Sequence, residues 1–140
     1  LRTLSVRLRQ HQKNALKVAQ WLNDQPNIKR VLYPPLPDDP GHDLWARDFS
    51  GGSGLMGVVF DTACPDAANA SIDGMGLFTI GYSWGGFESL IVPSAPSYMR
   101  TATKWTEPEP GIRLHVGLED AGDLIADLDQ GLARFRKALG

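Results

Sequence analysis

Leu1, Leu4, Leu8, His11, Ala15, Val18 and Leu22 recur alternately three and four residues apart, the spacing that aligns one face of an α-helix about six turns long. A stripe of that length demands an apolar surface to lie against. Arg2, Arg7, Arg9, Lys13 and Lys17 fall mostly off it. Asn23-Asp-Gln-Pro26 closes the helix, because proline lacks an amide donor and restricts the residue before it. At the other end of the chain Leu124, Leu128, Leu132, Phe135 and Leu139 predict a second amphipathic helix over 120–139. Its acids (Asp120, Asp123, Asp127, Asp129) precede its bases (Arg134, Arg136, Lys137), which complements the helix dipole.

The stretch between the two stripes reads as strands broken by turns. Ile28 to Tyr33 is a short strand, and Pro34 to Gly41 an ordered surface loop set by its prolines. Leu44 to Phe49 suits a short helical turn. Ser50-Gly-Gly-Ser-Gly54 reads as a flexible entry to the apolar run Leu55 to Phe60. Asp66 to Gly74 suits a helix capped near Asp61 or Thr62 and ended at glycine. Leu77 to Tyr82, Ser89 to Pro93 and Gly111 to Leu118 supply three further strands, so the expected fold is α+β with four or five strands. No internal repeat or low-complexity tract is present.

With 140 residues and 42% apolar content, the chain is long enough for one compact domain with its own core. Fourteen basic against 16 acidic side chains, net −2, create no field that would recruit nucleic acid or an anionic membrane. The expected partner is a small molecule or another protein surface. No apolar run approaches the roughly 20 residues that span a bilayer, and the single cysteine, Cys64, fits a reducing compartment. The expectation is a soluble, cytoplasmic protein.

Two segments carry candidate chemistry. Tyr82-Ser-Trp-Gly-Gly-Phe-Glu-Ser-Leu90 sets two aromatics and a hydroxyl beside a double glycine, where backbone can approach a ligand closely. Read blandly, it is a turn whose Tyr82 and Trp84 fill core space. Arg113-Leu-His-Val-Gly-Leu-Glu-Asp120 sets a cation in a strand that runs into the last helix. The Arg113 guanidinium either pairs with Glu119 or Asp120 at the surface or holds a carboxylate ligand through two parallel hydrogen bonds. His115 shares a strand side with Arg113 under period two and is placed to support it. His11, on the apolar stripe, reads as a packing residue. His11, His42 and His115 are scattered, Cys64 precedes a proline with no adjacent base, and no metal site is expected. Ser50-Gly-Gly-Ser-Gly54 precedes a strand, not a helix N-terminus, so it is not read as a phosphate cradle.

These segments, with Leu1-Arg-Thr-Leu4 and Arg7-Leu-Arg-Gln-His11 ahead of them, resemble the C-terminal domain of the pyridoxal-phosphate-dependent Cys/Met metabolism enzymes over nearly the whole chain. The likeness is strongest to the bacterial cystathionine β-lyase branch, since sibling γ-lyases and γ-synthases usually lack the Ser83-Trp84 pair and carry Arg-Leu-Ser in place of Arg113-Leu114-His115. The resemblance implies a small, mostly antiparallel sheet of four to five strands with helices packed on one face and a long N-terminal helix. It also implies that residues 1–140 are a single C-terminal domain. The large domain that binds pyridoxal phosphate would precede it, consistent with a chain that starts without methionine inside a helical pattern.

By the same resemblance, Arg113 holds the substrate α-carboxylate, Ser83 and Trp84 border it, and Tyr82 stands nearby. No catalytic, cofactor-binding or metal-binding residue falls in this stretch. Thr101-Ala-Thr-Lys-Trp105 superficially echoes the segment carrying the family's cofactor-linking lysine, but Lys104 leads into Thr106-Glu-Pro-Glu-Pro110, a loop composition. The implied activity is carbon–sulfur lysis of a cystathionine-like amino acid to homocysteine, pyruvate and ammonia, in a homo-oligomer, usually a tetramer, with the isolated chain inactive. A γ-lyase, γ-synthase or cysteine-S-conjugate β-lyase is the sibling reading. Outside it stand an amino-acid-binding regulatory module and an interaction domain pairing through the N-terminal stripe.

Overall fold

A computed structural model describes residues 2–140, so Leu1 of the N-terminal stripe lies outside the described residues. Ten elements follow in order: α1 (Leu4–Asn23), β1 (Ile28–Leu32), α2 (His42–Asp48), β2 (Leu55–Phe60), α3 (Pro65–Ile72), β3 (Thr79–Ile80), β4 (Leu90–Ser94), a 3-10 turn (Pro96–Tyr98), β5 (Gly111–His115) and α4 (Ala121–Leu139). The strands form one sheet in the order β1-β2-β5-β4-β3. Three neighbouring pairs are antiparallel and β3–β4 is parallel, which gives the expected α+β architecture.

Period two sorts the central strands into a core face and an outer face. Met56, Val58 and Phe60 of β2, Ile112 and Leu114 of β5, and Ile91 of β4 are buried together, with Met56 and Ile91 both in register with Leu114. Against them lie Ala15, Val18, Ala19 and Leu22 of α1, Ala67, Ala68 and Ile72 of α3, and Leu124, Leu128, Leu132 and Phe135 of α4. Phe60 and Phe135 stack with centroids 4.2 Å apart. Burying side chains of this size contributes about 1.5–3 kcal/mol each, so this layer holds the sheet in register.

Four local expectations are corrected. The buried face of α1 begins at His11, while Leu4 and Leu8 stay 40% and 38% exposed. They line a groove of about 680 Å³ with Trp45 and Phe49. The strand expected over 77–82 shrinks to two residues, because the buried Asp127 carboxylate accepts the amides of Gly76, Leu77 and Phe78 at 2.7–3.1 Å and takes them from the ladder. The Ser50–Gly54 connection is pinned, not flexible. Gly52 N–H donates to Gln12 Oε1, the Trp45 indole to Gly51 O, and the buried Tyr33 hydroxyl to Ser53 O. Finally, Cys64, not Asp61 or Thr62, precedes α3, and it makes no side-chain cap.

The last helix starts as its sequence directs. Asp120 accepts from the amides of Gly122 and Asp123, satisfying donors that a helix start otherwise leaves open. Among the described residues no helix is long and apolar enough to cross a membrane.

Candidate carboxylate-recognition site

The outer face of β5 carries Arg113 and His115, whose Cα atoms alternate positions place about 7 Å apart along the strand. Both reach the same segment. Arg113 Nη2 donates to the carbonyl of Tyr82 at 2.6 Å, and its guanidinium carbon lies 5.7 Å from the Tyr82 ring centre. His115 Nε2 stands 3.1 Å from the amide nitrogen of Gly85 and 3.2 Å from the carbonyl oxygen of Gly86. The loop Tyr82–Gly86 is thus pinned by its backbone at both ends, with the side chains of Ser83 and Trp84 between the pins and exposed.

A close approach further along fixes the same loop. Leu118 N–H donates to Phe87 O, and a side chain at Gly117 would meet that carbonyl at 2.3 Å, so only glycine fits. Ser89, fully buried, donates both its amide and its hydroxyl to Glu119, at 2.8 Å each, and its Oγ accepts the Gly117 amide. Asn14 of α1 donates to the carbonyls of Gly117 and Glu119 and ties the corner to the N-terminal helix.

Glu119 is therefore committed to Ser89 and does not neutralise Arg113. Among the described residues no carboxylate lies within ion-pair distance of Arg113, and its buried Nε has no partner. A guanidinium with free donors recruits a carboxylate well, since charge-assisted forked hydrogen bonds are about twice as strong as neutral ones. The surface-pairing alternative for Arg113 does not match this geometry. Neither does core filling by the aromatics, since Tyr82 is 78% and Trp84 64% exposed.

The structure brings Arg113 against Tyr82, places Ser83 and Trp84 next along the same exposed loop, and sets Trp84 with His115 at one small cavity. Burial holds the His115 imidazole below its ordinary pKa. The Gly86 carbonyl and Glu119 oppose that shift, and the neighbouring His11 and Arg113 charges add to it. Lys104 lies apart from this set, exposed in an irregular segment. Sequence reasoning missed Glu119 as a clamp and His11 as a contact of His115. Neither carries a local signal, because the partners lie 30 and 104 positions away. Among the described residues no three His, Cys, Asp or Glu side chains gather as a metal site would require.

Known proteins are similar to this chain in sequence and fold. The family model described as "Cys/Met metabolism PLP-dependent enzyme" matches residues 1–133. Cystathionine beta-lyase MetC of Escherichia coli K12 is 48% identical over 139 residues, covering 96% of this chain and 35% of that protein. Cystathionine gamma-synthase of Mycobacterium tuberculosis is 42% identical over 134 residues, covering 94% and 34%. The crystal structure of cystathionine gamma synthase from Xanthomonas oryzae pv. oryzae in complex with cystathionine superposes with a TM-score of 0.82 at 35% identity, over 98% of this chain and 36% of that one. The chain spans about a third of the length of the relatives it matches.

Proposed function

This chain belongs to the Cys/Met metabolism PLP-dependent enzymes, and from that premise we propose that it forms the substrate-carboxylate side of a cytoplasmic cystathionine β-lyase. The observation that carries the proposal is Arg113: its charge is unpaired among the described residues, its Nε has no partner, and it holds the carbonyl of Tyr82, the residue that Ser83 and Trp84 follow in the exposed loop. In this reading the guanidinium grips the α-carboxylate of a cystathionine-like substrate while Ser83, Trp84 and Tyr82 border it. The overall reaction consumes water and cleaves the carbon–sulfur bond, giving homocysteine, pyruvate and ammonia.

In this reading pyridoxal phosphate is not seated by this chain. Lys104 is exposed in irregular chain, the first amides of α4 are taken by Asp120, and the glycine-rich Ser50–Gly54 segment turns the Gly52 amide inward to Gln12. The cofactor would sit on a larger domain preceding this one, in a homo-oligomer, and this chain would contribute orientation. Fixing a substrate by its carboxylate removes rotations that oppose reaction and is worth several kcal/mol, up to about 7–11 where alignment is complete.

Sibling chemistry, γ-elimination or γ-replacement, has support in the γ-synthase likenesses, at 42% and 35% identity. The β-lyase reading has support in the 48% identity to a β-lyase.

The test is Arg113→Lys in the full-length enzyme, which keeps the charge and removes the fork. KM for cystathionine should rise about ten-fold or more, with Arg113→Ala worse. Unchanged kinetics in both variants would sink the assignment. The 140 residues alone should show no lyase activity, and no lysine should be labelled when pyridoxal phosphate and borohydride are added. A saturable label on Lys104 would place a cofactor site here after all.

A further inference from the structure

Two imidazoles from opposite ends of the chain, His11 and His115, stand with ring centroids 5.0 Å apart, and both are buried, at 1% and 2% exposure. Burying a polar ring costs free energy unless its nitrogens find partners. His11 Nδ1 lies 2.8 Å from the carbonyl of Val116, an acceptor only, so Nδ1 carries a proton, and in the neutral ring Nε2 is left as an acceptor. That Nε2 is buried and unpartnered. His11 is among the residues lining a cavity of about 110 Å³, with Arg7, Trp84, Gly85 and His115.

His115 Nε2 has two neighbours in the turn. When bare it accepts from Gly85 N–H; when protonated it donates to Gly86 O instead. Arg113 holds the loop at Tyr82 and Leu118 holds it at Phe87, and between them His115 is the ring that meets the backbone of the turn. Gly85 adopts φ 82°, where glycine is at ease, and no atom stands within 4 Å of where its side chain would be. Its shape therefore depends on the ring beneath.

We propose that His11 and His115 are a positioning pair: His115 sets the Trp84–Gly85–Gly86 turn through its backbone and His11 backs the His115 ring, so that Trp84 stands where Arg113 receives a carboxylate. The inference rests on the carboxylate reading of Arg113 and assigns the pair no contact with substrate.

A pH dependence follows. The charged and titratable groups facing His115 are Arg113 on its own strand, Arg7 and His11 on α1, and Glu119 at the start of the corner before α4. Protonation adds a positive charge to a mostly positive surrounding and removes the acceptor of the Gly85 amide. Because burial lowers the folded-state pKa, the stabilisation from neutral His115 is fully present above the ordinary histidine value of about 6.5. It is lost as the pH falls below that value toward the folded pKa.

The first test needs no substitution. In the 140-residue chain, the ring nitrogens of His11, His42 and His115, the Gly85 amide and the Trp84 indole are followed by NMR from about pH 8 to about pH 5. The Gly85 and Trp84 signals should move with the His115 midpoint, itself below about 6.5. Signals that stay flat through that midpoint, or that follow His42 instead, overturn the proposal.

Two variants then separate positioning from bulk packing. His115→Gln offers both an acceptor and a donor, so it should keep the Trp84 signal near its neutral-pH position and abolish its pH dependence. His115→Leu should displace that signal at every pH. In the full-length enzyme His115→Leu should raise KM about ten-fold with kcat within about three-fold, and His115→Gln should restore KM to within about three-fold of the parent. Equal KM in parent and His115→Leu would refute the pair. If Arg113→Lys leaves KM unchanged while Trp84 still tracks His115, the carboxylate reading fails and the pair survives.

Discussion

The two faces of β5 follow different rules. On one, Ile112 and Leu114 belong to an apolar core cluster with residues of α1, α3 and α4, where packing depends on shape. On the other, Arg113 and His115 reach backbone atoms of a single exposed turn through polar, directional contacts, with the His115 ring backed by His11. The difference teaches that one short strand can carry the fold and the site at once, because alternation keeps their demands on separate residues. Mutations on the first face should register as stability and on the second as affinity.

Leu114→Ala gives the largest expected effect. Leu114 is fully buried at the centre of the sheet, paired with Met56 and Ile91, and truncation there should remove about 2–5 kcal/mol of unfolding free energy. Arg113→Ala, which removes a side chain whose hydrogen bond goes to the carbonyl of the exposed Tyr82, should remove less than about 1 kcal/mol. Urea denaturation of both variants checks this. Losses of equal size would break the comparison, since Arg113 would then be a structural residue.

Glu119→Ala probes the corner where the two faces meet, with an intermediate effect. Removing the carboxylate leaves the Ser89 amide and hydroxyl without their shared acceptor and should cost about 1–3 kcal/mol. Because Ser89 also accepts from Gly117, the end of β5 should loosen and the Gly117 and Ser89 amides should exchange hydrogen faster. A loss below about 0.5 kcal/mol, within the scatter of ordinary surface changes, would show that the clamp does not hold the corner.

How much of this was legible before the structure divides along the same line. Apolar periodicity placed α1 and α4, runs of strand length placed β2 and β4, and period two placed Arg113 and His115 on one side of β5, because packing against a layer leaves a pattern that sequence records. Long-range polar pairings impose none. Nothing around Asp127 announced that it would claim the amides of Gly76, Leu77 and Phe78 and end β3 early. Nothing near His11 pointed to Val116, 105 positions away. The Leu4–Leu8 part of the stripe was correctly apolar but its burial was not readable, since a period says which side is apolar and not what covers it. The role given to Arg113 came from family likeness; the structure adds that Glu119 is occupied elsewhere.

Asp120→Ala should give the smallest effect and the sharpest separation. Asp120 follows Glu119 directly and lies five residues after His115, yet its carboxylate faces only the helix start, accepting from Gly122 at 2.7 Å and Asp123 at 3.4 Å. Losing this cap should cost about 1 kcal/mol, with Asp120→Asn recovering most of it. The fraying should stay within the first turn of α4, because Glu119 and Asn14 fix the chain one residue earlier through independent bonds. Denaturation should therefore report the loss, while the Trp84 indole position, the His115 midpoint and KM in the full-length enzyme stay at their parent values. If Asp120→Ala moves the His115 midpoint, strain at the start of α4 is passing through the corner into the turn, and the two faces of β5 are mechanically one unit.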